Sequence, residues 1–237
     1  MPGSEAAAED AGGTLVRTAI GLADAEGLGG LTLRVLAHHA EIALPEVRRA
    51  FGSRDRLVAA MVQHLLAAGR AGAAGRAAAP SDGGPVGTLT RLAEDEWAAY
   101  RAHPWLVSVL ATSRPLLVPA VLEAARATIE AFVELGFDPQ TALGRYIALN
   151  GYVQGMALLL LAEHKETARS GTAYRAWWSQ EARRLDRTGA RRRHTWLDGA
   201  SGGRLPDAFD AEVDSWFREG LAGVVAGLVT PEGWGGP

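Results

Sequence analysis

Residues 15–61 read LVRTAIGLADAEGLGGLTLRVLAHHAEIALPEVRRAFGSRDRLVAAM, and the punctuation of this stretch decides the fold. Leu15, Val16, Ala19, Ile20 and Ala23 recur at three-and-four spacing, which lays one apolar face along a helix from about Thr14 to Ala25. Gly27 then supplies a stop signal. Thr32 is a good N-cap for a short second helix that turns Leu33, Leu36, Ala37 and Ala40 inward. A third helix begins near Ala43, where Pro45 suits the first turn and Val47 and Phe51 form an i, i+4 apolar pair. Gly52 ends it, and Ser53 caps a fourth helix from Arg54 to about Ala71, striped by Leu57, Met61, Leu65 and Ala68. Two short helices joined by a few residues, with a preceding helix able to pack across both, make a trihelical helix-turn-helix.

Outward from this stretch the same periodicity continues, and no run shows the sustained alternation of a strand, so the fold class is all-α. Residues 1–13, small and acidic, read as a flexible tail, and 14–71 as the helix-turn-helix domain with its connecting helix. The Ala, Gly, Pro and Ser of 72–87 read as a linker loop. Residues 88–237 form a larger helical bundle, with helices expected at about 88–102, 104–112, 115–135, 139–169, 172–185 and 206–229.

At 237 residues the chain can bury a full core, and 48% apolar with 22% charged residues is the balance of a folded globular protein. The absence of cysteine removes disulfides, thiolate metal sites and thiol nucleophiles. The N-terminus lacks a signal-peptide pattern, and the longest apolar run, Met156 to Ala162, is far short of the roughly 20 residues of a membrane span. A cytoplasmic protein is expected. With a formal net charge of −3, any contact with a polyanion must come from a local patch. Lys165 is the only lysine, so that patch must be built of arginine.

The EGL after the first helix, the TLRVLA opening of the second and the FGSRDRLVAAM leading into the fourth resemble the N-terminal domain of TetR-family transcriptional regulators. WAAYRAHPWL at 97–106, the Leu-Gly-Phe near 135 and YVQGMALLL near 152 look like the tetracycline-repressor-type C-terminal domain of that family. The resemblance implies a homodimer that binds an operator in double-stranded DNA and is released from it by a small-molecule effector, without cofactor. It departs from the family in the reading head: Glu41 stands at the usual turn glycine, Ala43 at the usual Ser or Thr cap, and Arg48 at the usual tyrosine. Losing such a cap costs roughly 1 kcal/mol, whereas an arginine can keep a phosphate contact as a charge-assisted bond.

The DNA-binding candidates are therefore Thr32, Ala43, Leu44, Pro45, Arg48, Arg49 and Arg54. Helical geometry lets Ala43, Leu44, Arg48 and Arg49 project outward, where paired arginines suit phosphates or guanine edges; their bland alternative is a solvated face. Arg54 resembles the family's usual lysine at the start of the fourth helix and is expected to hold a phosphate.

In the bundle, Trp97, Tyr100, His103, Trp105, Asn150, Gln154 and Met156 mix aromatic and polar character as an amphipathic effector pocket requires, although core packing explains any one of them alone. Phe209, Val213, Trp216, Phe217, Leu221, Val224 and Leu228 form an apolar stripe on the last helix, expected to face a second copy together with the helix at 139–169. Other clusters carry less. His38-His39 near Glu41 make a poor chelate because adjacent helical residues diverge, and Glu163, His164 and Glu166 together with Arg183–Arg193 read as solvated helix ends. No phosphate-binding glycine loop, nucleophile elbow or metal set points to catalysis. Two further readings stay open: a protein of this fold that has lost specific DNA reading, and a helical-bundle enzyme.

Overall fold

The computed structural model describes residues 2–76, 83–196 and 209–230. Its described residues form helices α1 (Pro2–Glu26), α2 (Leu33–His39), α3 (Leu44–Phe51), α4 (Arg54–Arg76), α5 (Gly84–Ala102), α6 (Trp105–Leu110), α7 (Pro119–Glu134), α8 (Pro139–Ser170), α9 (Tyr174–Arg187), α10 (Ala190–Arg193) and α11 (Phe209–Val229). The all-α expectation holds.

Helices α1–α4 close around Ile20, Leu36, Val47, Leu57 and Met61, all buried, so the three-and-four spacing read along 15–61 is the core of the head. α4 leaves this head and packs on α7 of the bundle, where the Ala120 amide donates to Gln63 Oε1 at 2.9 Å. The bundle itself is α5, α7, α8 and α11 packed on one another, with α6 against α5 and α8.

Helix α8 spans 32 residues, about 48 Å at 1.5 Å per residue. Asp138 starts it by accepting the amides of Gln140 and Thr141, Pro139 fits its first turn, and Gly171 ends it in the left-handed conformation. Among the contacts that fasten α11 to it, two lie at its middle and its C-terminal end. The Tyr152 hydroxyl donates to the Phe217 carbonyl at 2.8 Å, and a side-chain carbon at Gly220 would collide with that hydroxyl, so only glycine admits the ring. Arg145, almost fully buried, donates to the Thr230 carbonyl at 3.2 Å and lies 3.8 Å over the Phe137 ring, placing positive charge at the C-terminal end of α11.

Three sequence expectations are revised. The tail expected over 1–13 is helical from Pro2, since proline fits a first helical position and Ala6–Ala8 are the best helix formers, which carry the helix through Gly12-Gly13. The linker expected at 72–87 narrows to the segment between Arg76 and Gly84, of which 77–82 lie outside the described residues. The helix expected at 115–135 starts only at Pro119, because proline opens a helix more readily than it continues one. Residues 206–208 of the last helix lie outside the described residues.

Candidate nucleic-acid interface and effector site

The turn between α2 and α3 sets the reading head. The Ile42 amide donates to the Ala37 carbonyl at 3.0 Å and the Glu41 amide to that of His38 at 3.3 Å, the pair of bonds that closes a helix on a left-handed residue. That residue is Glu41, at φ +54°, a conformation glycine adopts freely and a glutamate adopts at a cost of roughly 1 kcal/mol. The departure noted in the sequence is thus absorbed as local strain, with the turn intact.

Thr32 caps α2 by accepting the Val35 amide at 3.1 Å. Ala43 begins α3 without a side-chain cap, and Pro45 sits in its first turn. Val47 is fully buried and Leu44 half-buried, so α3 is anchored by one face. Arg48 and Arg49 are exposed and, among the described residues, form no ion pair or side-chain hydrogen bond. Two unpaired guanidiniums on a solvent-facing helix are available to phosphates and guanine edges. Arg54 is placed differently from the expectation: its Nε donates to the Leu31 carbonyl at 2.9 Å and its Nη2 to that of Leu28 at 2.6 Å. It holds the α1–α2 connection, where the carbonyls of Leu28, which also accepts the Leu31 amide at 3.2 Å, and Leu31 lie within reach of a planar fork. The rings of His38 and His39 stand 79° apart and do not converge.

Seven bundle residues were candidates for one pocket, and the structure divides them. Tyr100, Asn150 and Gln154 come together, around a residue the sequence reading passed over, Glu96. The Tyr100 hydroxyl donates to Glu96 Oε1 at 2.7 Å, and Gln154 Nε2 donates to the Tyr100 hydroxyl at 3.4 Å. The Asn150 amide is satisfied with its nitrogen toward the carboxylate, 2.8 Å from Glu96 Oε1, and its oxygen accepting from Gln154 Nε2 at 3.2 Å. Burial pushes the Glu96 carboxyl up to about 7, the Tyr100 hydrogen bond offsetting only part of it. Burial first, and then the Glu96 charge, push the phenols of Tyr100 and Tyr146 above their ordinary values. One signal could have found Glu96: it stands four residues before Tyr100, and so one helical turn away on the inward side of α5.

The other four face elsewhere. Trp97 stacks on Phe217, with centroids 4.5 Å apart, and its indole donates to Asp214 at 2.8 Å. Burial pushes the Asp214 carboxyl up, but the Trp97 bond and the Arg101 and Arg218 charges outweigh it and hold it below the ordinary value. His103 and Trp105 reach across to the head, both onto Asp24. Met156 is half-buried and packed on the core.

The stripe on α11 is also redirected. Val213, Phe217, Leu221 and Leu228 are buried within their own chain and Phe209 and Val224 half-buried, because α5 and α8 already cover that face; Trp216 keeps 40% of its surface exposed. Exposed large apolar residues lie on several elements, among them Leu117, Leu122 and Trp196, and four fall on α8: Leu143, Ile147, Leu158 and Leu159. Their spacing, with exposed Gly151 and Gly155 between them, draws one stripe along the helix. Away from these sites, His164 bonds Asp210 at 2.9 Å, Arg169 pairs with Glu166, and α9 buries none of its residues.

A trihelical reading head joined by one long helix to a larger bundle is the architecture of TetR-family transcriptional regulators. The comparisons agree. The sequence is 27% identical over 214 residues to the HTH-type transcriptional repressor DrrR1 of Streptomyces coeruleorubidus, covering 90% of this chain and 75% of that protein. A possible TetR-family transcriptional regulator from Streptomyces coelicolor A3(2) superposes with a TM-score of 0.66 at 23% identity, over 92% of this chain and 98% of that one. Apo ActR from Streptomyces coelicolor gives 0.67 at 21% identity, over 92% and 94%. ActR has also been solved in complex with actinorhodin, at a TM-score of 0.59, 22% identity and 92% and 96% coverage. No protein-family model matches the chain. The resemblance read from residues 15–61 thus holds for the fold of nearly the whole chain.

Proposed function

We propose that this chain is a ligand-responsive transcriptional regulator, a repressor released from a palindromic operator when a small molecule binds its bundle. The observation that carries the DNA-binding half is the unpaired Arg48–Arg49 couple on α3, a helix seated by Val47 and flanked by a well-formed turn. Two-fold pairing of heads about 34–36 Å apart supplies the specificity one head lacks. The exposed stripe Leu143, Ile147, Leu158 and Leu159 on α8 is the face we assign to the dimer, in place of the α11 stripe. Crystal structures of relatives in complex with actinorhodin and, for a TetR variant from Acinetobacter baumannii AYE, with minocycline support the sensing half.

A regulator of this type works in the cytoplasm and is no enzyme, and among the described residues no helix is long and apolar enough to cross a membrane. The reading in which DNA recognition has been lost rested on Glu41 and Ala43; the formed turn and helix weaken it. Selection of genomic fragments by the purified protein tests the proposal. A palindrome should be recovered, and the Arg48→Ala/Arg49→Ala variant should fold normally yet bind it at least tenfold more weakly. Recovery of no common sequence, or undiminished binding by the variant, would refute it.

A further inference from the structure

We propose that the effector of this regulator is an amphipathic molecule carrying a protonated amine, seated with the amine on the Glu96 carboxylate between α5 and α8. This rests on the effector-sensing reading above and names the chemistry the site selects.

The geometry points to a missing cation. Glu96 is half-buried in the bundle, and every group that reaches it is neutral: the Tyr100 hydroxyl on Oε1 and the Asn150 amide nitrogen, 2.8 Å from Oε1 and 3.3 Å from Oε2. It forms no ion pair with any described arginine, lysine or histidine. A carboxylate offers about four acceptor positions, so Oε2 keeps capacity for a further donor. The polar groups form two facing ladders, Glu96 and Tyr100 on α5 and Tyr146, Asn150 and Gln154 on α8. Glu96, Tyr146, Asn150 and Gln154 all retain accessible surface, so the polar groups can be reached by a ligand. The same helices are otherwise apolar inward, with Leu89 and Ala93 on α5 and Leu149, Val153 and Ala157 on α8.

Once ionised, this carboxylate has no counter-ion, and an ammonium supplied by a ligand matches its charge while the ligand's apolar body lies against the neighbouring apolar side chains. The high carboxyl value reached by burial agrees with this vacancy of charge. An anion would face repulsion from the same group, and a neutral ligand of equal size would leave the charge unmatched.

Three tricyclic or bicyclic aromatic probes of similar area separate the cases: proflavine as the cation, acridone as the neutral body and anilinonaphthalene sulfonate as the anion. Their dissociation constants are measured calorimetrically with the full-length protein and with Glu96→Gln, which keeps shape and hydrogen bonding but removes the charge. Proflavine should bind the parent at least tenfold more tightly than acridone, and the substitution should erase that preference while leaving acridone affinity within about twofold. Binding of none of the probes, a proflavine affinity no better than acridone's, or an undiminished preference in Glu96→Gln would overturn the proposal. Operator affinity of the parent is read in the same samples with and without each probe. Release of operator by acridone as readily as by proflavine would leave effector sensing standing and remove only the amine, whereas failure to bind any operator would strike the functional reading itself.

Discussion

The carboxylate of Asp24, near the end of α1, accepts the indole N–H of Trp105 at 2.7 Å, and the same carboxylate lies 2.9 Å from Nδ1 of His103. One acidic side chain of the reading head thereby holds two residues of the bundle. Its position makes it a joint through which movement in one part can be felt in the other, the kind of linkage that effector release of DNA requires. Asp24→Ala should destabilise the protein by about 1–3 kcal/mol, because it leaves the indole N–H without its acceptor. Asp24→Asn should lose less, since its amide oxygen still accepts that bond. Urea denaturation of the two variants checks this, and equal losses would show that the Trp105 bond is not the source.

Glu41 is the one described non-glycine residue with positive φ. Glu41→Gly should raise stability by about 0.5 kcal/mol, relief of left-handed strain outweighing the added freedom of the unfolded chain. It should also tighten DNA binding modestly on all sequences, since a negative charge leaves the head. A lower urea midpoint for the variant would mean that Glu41 makes a compensating contact.

The raised carboxyl of Glu96 has a definite pH signature. Its folded value of about 7 lies above its ordinary 4.5, so between these values the folded protein binds more protons than the unfolded chain and stability falls as pH rises. The loss is complete above about pH 7 and amounts to at most about 3 kcal/mol. Glu96→Gln should therefore stabilise the protein at pH 8 far more than at pH 5, as read from thermal or urea unfolding at the two pH values. An equal effect at both would show that the carboxyl titrates normally.

Ile147, 60% exposed at the middle of the α8 stripe, should lie in the dimer interface. Ile147→Glu would bury a charge there twice by symmetry, so sedimentation should show a dimer for the parent and a dissociation constant raised at least a hundredfold for the variant. Trp216→Glu on α11 provides the contrast. An unchanged dimer in Ile147→Glu would move the interface elsewhere.

The head was legible in the sequence because its determinants are local. Caps, glycines and i, i+4 pairs act within a turn or two, so Thr32, Pro45, Val47 and Gly52 mark α2 and α3 without reference to anything distant. The abnormal turn showed only through the family resemblance, as a glutamate where that family usually carries a glycine. What a side chain meets across the molecule is a different quantity, since periodicity gives the face of a helix but not its partner. The apolar stripe of α11 was expected to face a second copy, and only the packing of α5 and α8 against it showed that the chain already covers it. Arg54 carried the charge for a phosphate, but the carbonyls of Leu28 and Leu31, more than twenty residues away, claim its guanidinium. Glu96 looked like any polar residue of a helix until α8 closed over it, because burial, which alone makes its charge costly, is a property of the assembled bundle and of no single segment.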